Sequence, residues 1–206
     1  MPDISQVSII NLGLTKIGAK RISALDEDSA EARAANAIYD FCLDSVLEEH
    51  PWTFAQKRAA LAQLDTTLAM TEDNLDYVYA KPTDYIKLNF VSSSTATVKV
   101  EDAGIISNVS GLKIIYTYRN TDPTKYSAKF IEALACKLAS ELCFPLGESV
   151  SKSEALIKKY EDIDLPKAIS SDSQQGTPQP PIQDEWFEAR EAGGGFLTTG
   201  ETWHPA

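Results

Sequence analysis

Few residues of this chain could do chemistry, and their spacing suits it poorly. Asp26, Glu27, Asp28 and Glu31 crowd their carboxylates together, as acid–base catalysis requires. They stand, however, at the start of an apolar-periodic run, where acids complement the positive end of a helix dipole. They therefore read as the cap of a helix beginning at Asp28. His50 and His204 are the only histidines, and neither has a companion at metal-ligand spacing. His50, just before Pro51, reads as a donor or positive charge at the negative pole of a helix. The three cysteines, Cys42, Cys136 and Cys143, form no framework. Cys136 and Cys143 fall on one side of a helix and read as small buried hydrophobes.

Other motifs fail in similar ways. Gly193-Gly194-Gly195 lacks the Lys-Ser/Thr that grips phosphate, and no Gly-x-Ser-x-Gly elbow occurs. Lys57-Arg58 could touch phosphate but reads as a solvated surface or an ion-pair site. Asn108-Val109-Ser110 matches a glycosylation acceptor by chance in a chain expected to be made in a cytoplasm. The expectation is a non-enzymatic protein with no metal and no cofactor.

The elements that would position any site are clearer. The 206 residues are 43% hydrophobic and 24% charged, enough for an ordinary core. A net charge of -11 argues against a nucleic-acid binder, whose footprint is a basic face. It fits a protein that meets basic partners or lines a passage that DNA crosses without sticking. No apolar run is long enough to span a membrane, and residues 1–6 carry no basic leader.

A first helix is expected over residues 3–18, capped by Asp3 with Gln6, striped by Ile4, Val7, Ile10, Leu14 and Ile17, and ended by Gly18. A second is expected over residues 28–50. Ala32, Ala35, Tyr39, Leu43 and Val46 share one face, and Ala34, Ile38 and Phe41 carry the apolar surface round the side. Arg33, Asp40, Asp44 and Glu48 complete a polar strip. So wide an arc implies two neighbours, one of which could be another subunit. Pro51 stops the helix and delivers Trp52-Thr53-Phe54. Ile38, Phe41, Trp52 and Phe54 are the candidate subunit-packing residues, with the burial of Trp52 open between one subunit and two.

A β-rich insert is expected over residues 57–119. Its strand signals are Tyr77-Val78-Tyr79, Thr97 to Val100, Gly104-Ile105-Ile106 and Leu112 to Tyr118, with turns at Asp102-Ala103-Gly104 and Ser110-Gly111. Asp84 to Val91 reads either as a strand or as a short helix. A third helix is expected over residues 124–144, with Ile131, Leu134, Ala135, Leu138 and Leu142 in its stripe. A fourth is expected over residues 151–165, capped by Ser151 with Glu154 and stopped before Pro166. From there the composition turns polar, Pro-rich and acidic. Domain 1–170 is thus followed by an extended arm, residues 171–206, with isolated anchors Trp186, Phe187, Phe196, Leu197 and Trp203. Such an arm suits docking to a partner; the other reading is a tail that wraps its own domain. The fold class is α+β: a helical bundle with a β-rich insert and an extended C-terminal arm.

The order of these motifs resembles a known family. Ile17-Gly18, then Ile22 to Asp28, the alanine-rich helix, Pro51-Trp52-Thr53-Phe54-Ala55, a β-rich insert, Tyr116-Thr117-Tyr118 and Asp122-Pro123-x-x-Tyr126-x-x-x-Phe130 follow one another. This is similar to the tail tubular protein A and head-to-tail adaptor proteins of tailed bacteriophages. Trp186-Phe187-Glu188-Ala189-Arg190 is similar to a Trp-apolar-x-Ala-Arg ending in that family. The resemblance implies a structural virion protein made in the host bacterial cytoplasm. It implies a homo-oligomeric ring, commonly of twelve subunits, at the portal–tail junction, touching the portal protein on one side and tail or nozzle proteins on the other. DNA would pass through without specific binding, and no membrane is involved. The arm, with Trp186, Phe187, Arg190, Phe196 and Trp203, is the expected portal-binding element. The alternative is a soluble assembly factor or binding module not retained in the virion.

Overall fold

A computed structural model describes residues 4–64, 75–147 and 149–175. The chain divides into two units, Met1–Gln175 and Gly176–Ala206, and every described residue belongs to the first. The fold is α+β, as expected from the sequence. Its helices are α1 (Gln6–Ile17), α2 (Ala30–Glu49), α3 (Ala128–Leu142), α4 (Val150–Lys159) and α5 (Leu165–Ser173). Between α2 and α3 lie β1 (Gln56–Ala60), β2 (Gln63–Leu64), β3 (Tyr77–Tyr79), β4 (Tyr85–Val91), β5 (Val98–Glu101), β6 (Gly104–Ser107) and β7 (Lys113–Tyr118).

The helices share one core. α3 lies at its centre and buries Phe130, Leu134, Leu138 and Leu142 against α1 and α2. Gly13 of α1 lets the two backbones close: a Cβ there would stand 3.3 Å from the Ala135 carbonyl. Gly18 ends α1 in the left-handed conformation at φ 84°, a position that favours glycine.

The cap of α1 is Ser5, not Asp3, which lies outside the described residues. Ser5 and Ser8 form a reciprocal capping box. The cap of α2 is Ser29, whose Oγ accepts from the Ala32 amide at 3.2 Å; its neighbour Asp28 pairs with Arg33 instead. Pro123 opens only a 3₁₀ turn, and α3 starts later, capped by Ser127. α4 begins at Val150 behind Ser149, so Ser151 sits inside the helix rather than at its cap.

Pro166 does not end the last helix. A π turn, Tyr160–Asp164, joins α4 to α5. The wider π turn removes the conflict between the Pro166 ring and the preceding turn, which an unbroken α-helix would impose. The helix therefore runs to Ser173, and the boundary expected at residue 170 moves to Gln175.

Among the described residues the strands form two antiparallel sheets, ordered β1-β7-β4 and β2-β3-β6-β5. They share a second core of Tyr79, Ile105, Ile114 and Tyr116, flanked by Leu88 and Val98. The Asp84 to Val91 ambiguity resolves as strand β4, because pairing with β7 satisfies its backbone. Gly104 begins β6 at φ 151°, where a Cβ would meet the Tyr79 carbonyl at 2.3 Å.

Candidate functional site

Pro51 forces the chain out of α2, and the exit is built around Trp52. Its ring is fully buried within its own chain. It sits edge-on to Phe130 at 5.0 Å, and Phe54 meets Phe130 at 4.8 Å and Tyr126 at 5.4 Å. These four aromatics form one hub, worth more than their area because Trp52, Phe54 and Tyr126 each meet Phe130 edge-to-face. The indole Nε1 donates to the Val46 carbonyl at 2.8 Å. That carbonyl is one of the acceptors a helix C-terminus leaves without an internal donor. Lys87 serves another, donating to the Glu48 carbonyl at 2.9 Å. A cation at the negative pole of α2 is thus Lys87, while burial works against the positive charge expected of His50.

The same exit holds both ends of the insert. β1 leaves directly after the 3₁₀ turn Thr53–Ala55, and β7 returns to Asn120. Asn120 Nδ2 donates to the Phe54 carbonyl at 3.1 Å, and the Tyr126 hydroxyl donates to the Asn120 carbonyl. Burial holds the Tyr126 hydroxyl well above its ordinary pKa. Trp52, expected as a candidate subunit contact, is therefore internal packing. Phe54 is half-buried in the same stack.

Asp172, which sequence reasoning placed in the arm, is buried at the hub's edge. Its carboxylate accepts from the Thr53 amide at 2.9 Å and the Thr53 hydroxyl at 2.8 Å. His50 Nε2 stands 3.6 Å away. Burial lowers the pKa of His50, against the opposing pull of the Asp172 carboxylate. Thr53, His50 and Asp172 do not form a catalytic relay, because the hydroxyl gives its hydrogen bond to the carboxylate and not to the imidazole. The cluster is a clasp between the end of α5 and the exit of α2. No local sequence signal marked it, since its partners are 119 residues apart.

Large apolar side chains stand open on α2 and on the β1-β7-β4 sheet, as Phe144 and Val150 do before and at the start of α4. On α2, Ile38 is half-buried against the helical core, but Phe41 is 68% exposed. Asp40 and Asp44 beside it both reach Arg119, at 3.4 and 2.7 Å. The polar strip of α2 thus faces the return of β7. On the outer face of the β1-β7-β4 sheet lies an open cleft of about 430 Å³, with Phe90 and Ile115 in it and Arg58 and Lys113 at its sides. Phe90 is there because of a bulge. Leu88 and Phe90 would share a face in a regular strand, yet Leu88 pairs with Tyr116 and Phe90 with Ile115. The register shift between them sends Leu88 into the core and leaves Phe90 61% exposed. Asn89, at the shift, is tied to the buried Thr117 hydroxyl at 2.9 Å.

Lys57, the other half of the basic pair, is an ion-pair residue. It bonds to Asp84 and lies 3.9 Å over the Tyr118 ring. Its hydrogen bond is the main cause that holds the Asp84 carboxyl below its ordinary pKa. The three cysteines are buried and none is in a disulfide; burial raises the Cys42 thiol to about 12 and the Cys136 thiol to about 11. Among the described residues, no group of three or more His, Cys, Asp or Glu side chains could hold a metal ion, and no helix is long and apolar enough to cross a membrane. Trp186, Phe187, Arg190, Phe196, Trp203, His204 and the triple glycine lie outside the described residues. No protein-family model matches the sequence, and no curated protein matches it.

Proposed function

We propose that this chain is a head-to-tail adaptor of a tailed bacteriophage. It is a structural virion protein that forms a ring, of twelve copies by the family resemblance, between the portal and the tail. The observation that supports this reading is the aromatic hub. Pro51-Trp52-Thr53-Phe54 and Tyr126-x-x-x-Phe130 carry the resemblance and stand far apart in sequence. In space Trp52, Phe54, Tyr126 and Phe130 are one unit that joins the helical body to the β-rich insert. The motifs behave as parts of one architecture and not as separate coincidences.

The chain's acidity supports a passage role, because a wall of net negative charge repels DNA and keeps it moving. The arm, through Trp186, Phe187, Arg190, Phe196 and Trp203, docks to the portal, while another part of the ring meets tail or nozzle proteins. No catalytic step is assigned.

Mass analysis of purified virions tests the proposal, together with electron-microscope averages of the purified chain with and without portal. The expected result is a stoichiometric virion component and a ring seated on the portal. A chain found in infected cells but missing from mature particles would be an assembly factor, and the adaptor reading would fall.

A further inference from the structure

We propose that the cleft on the outer face of the β1-β7-β4 sheet receives α2 of a neighbouring copy of this chain, with Phe41 as the inserted side chain. This rests on the ring reading above and extends it by naming the two surfaces in contact.

Each surface has an apolar centre left uncovered by its own chain. Phe41 is 68% exposed on α2, and Phe90 is 61% exposed beside the half-buried Ile115 in the cleft. The cleft floor near β1 is made of Ala59 and Ala60, and its volume of about 430 Å³ leaves room for a ring. Along α2, Ala30, Ala34 and Ala37 lie on the face of Phe41 at helical spacing, so a sheet can approach the helix closely around one projecting side chain.

The charges are opposite. Arg58 and Lys113 have no carboxylate partner among the described residues, whereas Lys57, Arg119, Lys129, Lys137 and Lys159 each have one. Around Phe41 and the C-terminal turns of α2 stand Asp40, Asp44, Glu48 and Glu49. Facing them within the chain are Arg119 and Lys87. Asp40 and Asp44 are taken by Arg119, Glu48 and Glu49 form no ion pair among the described residues, and two cations are unmatched at the cleft.

This pattern selects how copies meet. Two clefts facing each other would oppose cation to cation, and two α2 faces would oppose acid to acid, so neither patch suits a two-fold dimer. A contact between two different patches is heterologous, and repeating it generates a ring when the rotation closes.

A photo-crosslinking phenylalanine analogue placed at residue 41 of the full chain tests the contact. Light and isotopically heavy chains are mixed, assembled alone and with portal, irradiated and mapped by mass spectrometry. Crosslinks should join residue 41 of one copy to residues 58–60, 90–92 or 113–115 of another. Arg58→Glu with Lys113→Glu should shift the ring to monomer in light scattering, and adding Glu48→Lys with Glu49→Lys should restore it. Rings whose crosslinks map elsewhere, or only within one copy, would overturn this contact and leave the adaptor reading standing. A chain that stays monomeric with and without portal, and is absent from virions, would overturn the adaptor reading and this contact with it.

Discussion

Replacing Trp52 is the sharpest test of how this fold is held. The ring is fully buried, touches Phe130 and Phe54, and donates to the Val46 carbonyl. Trp52→Ala removes the whole ring from a packed core, a change that costs about 3–5 kcal/mol. For a unit of this size each kcal/mol moves Tm by roughly 2–4 °C, so Tm should fall by about 6–20 °C. Trp52→Phe separates the two contributions. It keeps most of the apolar contact and loses the indole hydrogen bond, at a cost of about 1–2 kcal/mol.

Urea unfolding of both variants of the full chain gives the free energies, and calorimetry gives Tm. The loss should be independent of protein concentration, because the ring is enclosed by its own chain; a loss carried by subunit packing would vary with it. An alanine variant within about 1 kcal/mol of the parent would refute the reasoning, since core truncations of an aromatic ring cost several times that. So would equal losses in the two variants.

Other perturbations give smaller, separable effects. Asp172→Ala removes a buried acceptor of two hydrogen bonds from Thr53 and should cost about 1–3 kcal/mol in urea unfolding. A chain ending at Gln175 should keep the parent's unfolding midpoint, whereas one ending at residue 170 loses Asp172 and should melt several degrees lower. His50 has its pKa lowered by burial, so the folded state resists its protonation. The stability this gives is present above the unfolded value near ~6.5 and is lost as pH falls through the folded pKa; His50→Gln should remove that slope from a pH series of Tm. Asp84 is likewise lowered, chiefly by its hydrogen bond from Lys57. Its contribution holds above the unfolded value near ~3.9 and fades as pH drops through the folded pKa, so Asp84→Asn should flatten the acid end of the same series.

What could be read from the sequence was punctuated locally. Gly18 and Pro51 end helices wherever the rest of the chain goes, because each acts on its own φ or on its neighbour's. The strands β3, β5, β6 and β7 announced themselves by β-branched and aromatic runs between turns. Caps were harder, because adjacent residues compete for one role. Asp28 and Ser29 can both cap α2, and the structure gives the cap to Ser29 and an ion pair with Arg33 to Asp28. β2, of two residues, carries too little pattern to be seen. Asp172 was invisible for a different reason: in a run of Ser, Asp and Gln nothing marks the one acid whose partner is Thr53.

The wide apolar arc of α2 shows where pattern reading overreaches. Counted on a wheel, it offers more surface than one neighbour needs. Most of that surplus is consumed inside the chain: α3 takes one side, β4 touches the other, and Ile38 leans into the helical core. What remains uncovered is chiefly Phe41. The opposite error occurs on β4, where regular alternation would have hidden Phe90 beside Leu88. A single register shift reverses its side and creates the apolar centre of the cleft. The large apolar side chains left open on α2 and on the β1-β7-β4 sheet thus come from departures from regularity. An amphipathic pattern marks what a chain buries for itself, and a bulge or a stray large side chain marks what it leaves exposed.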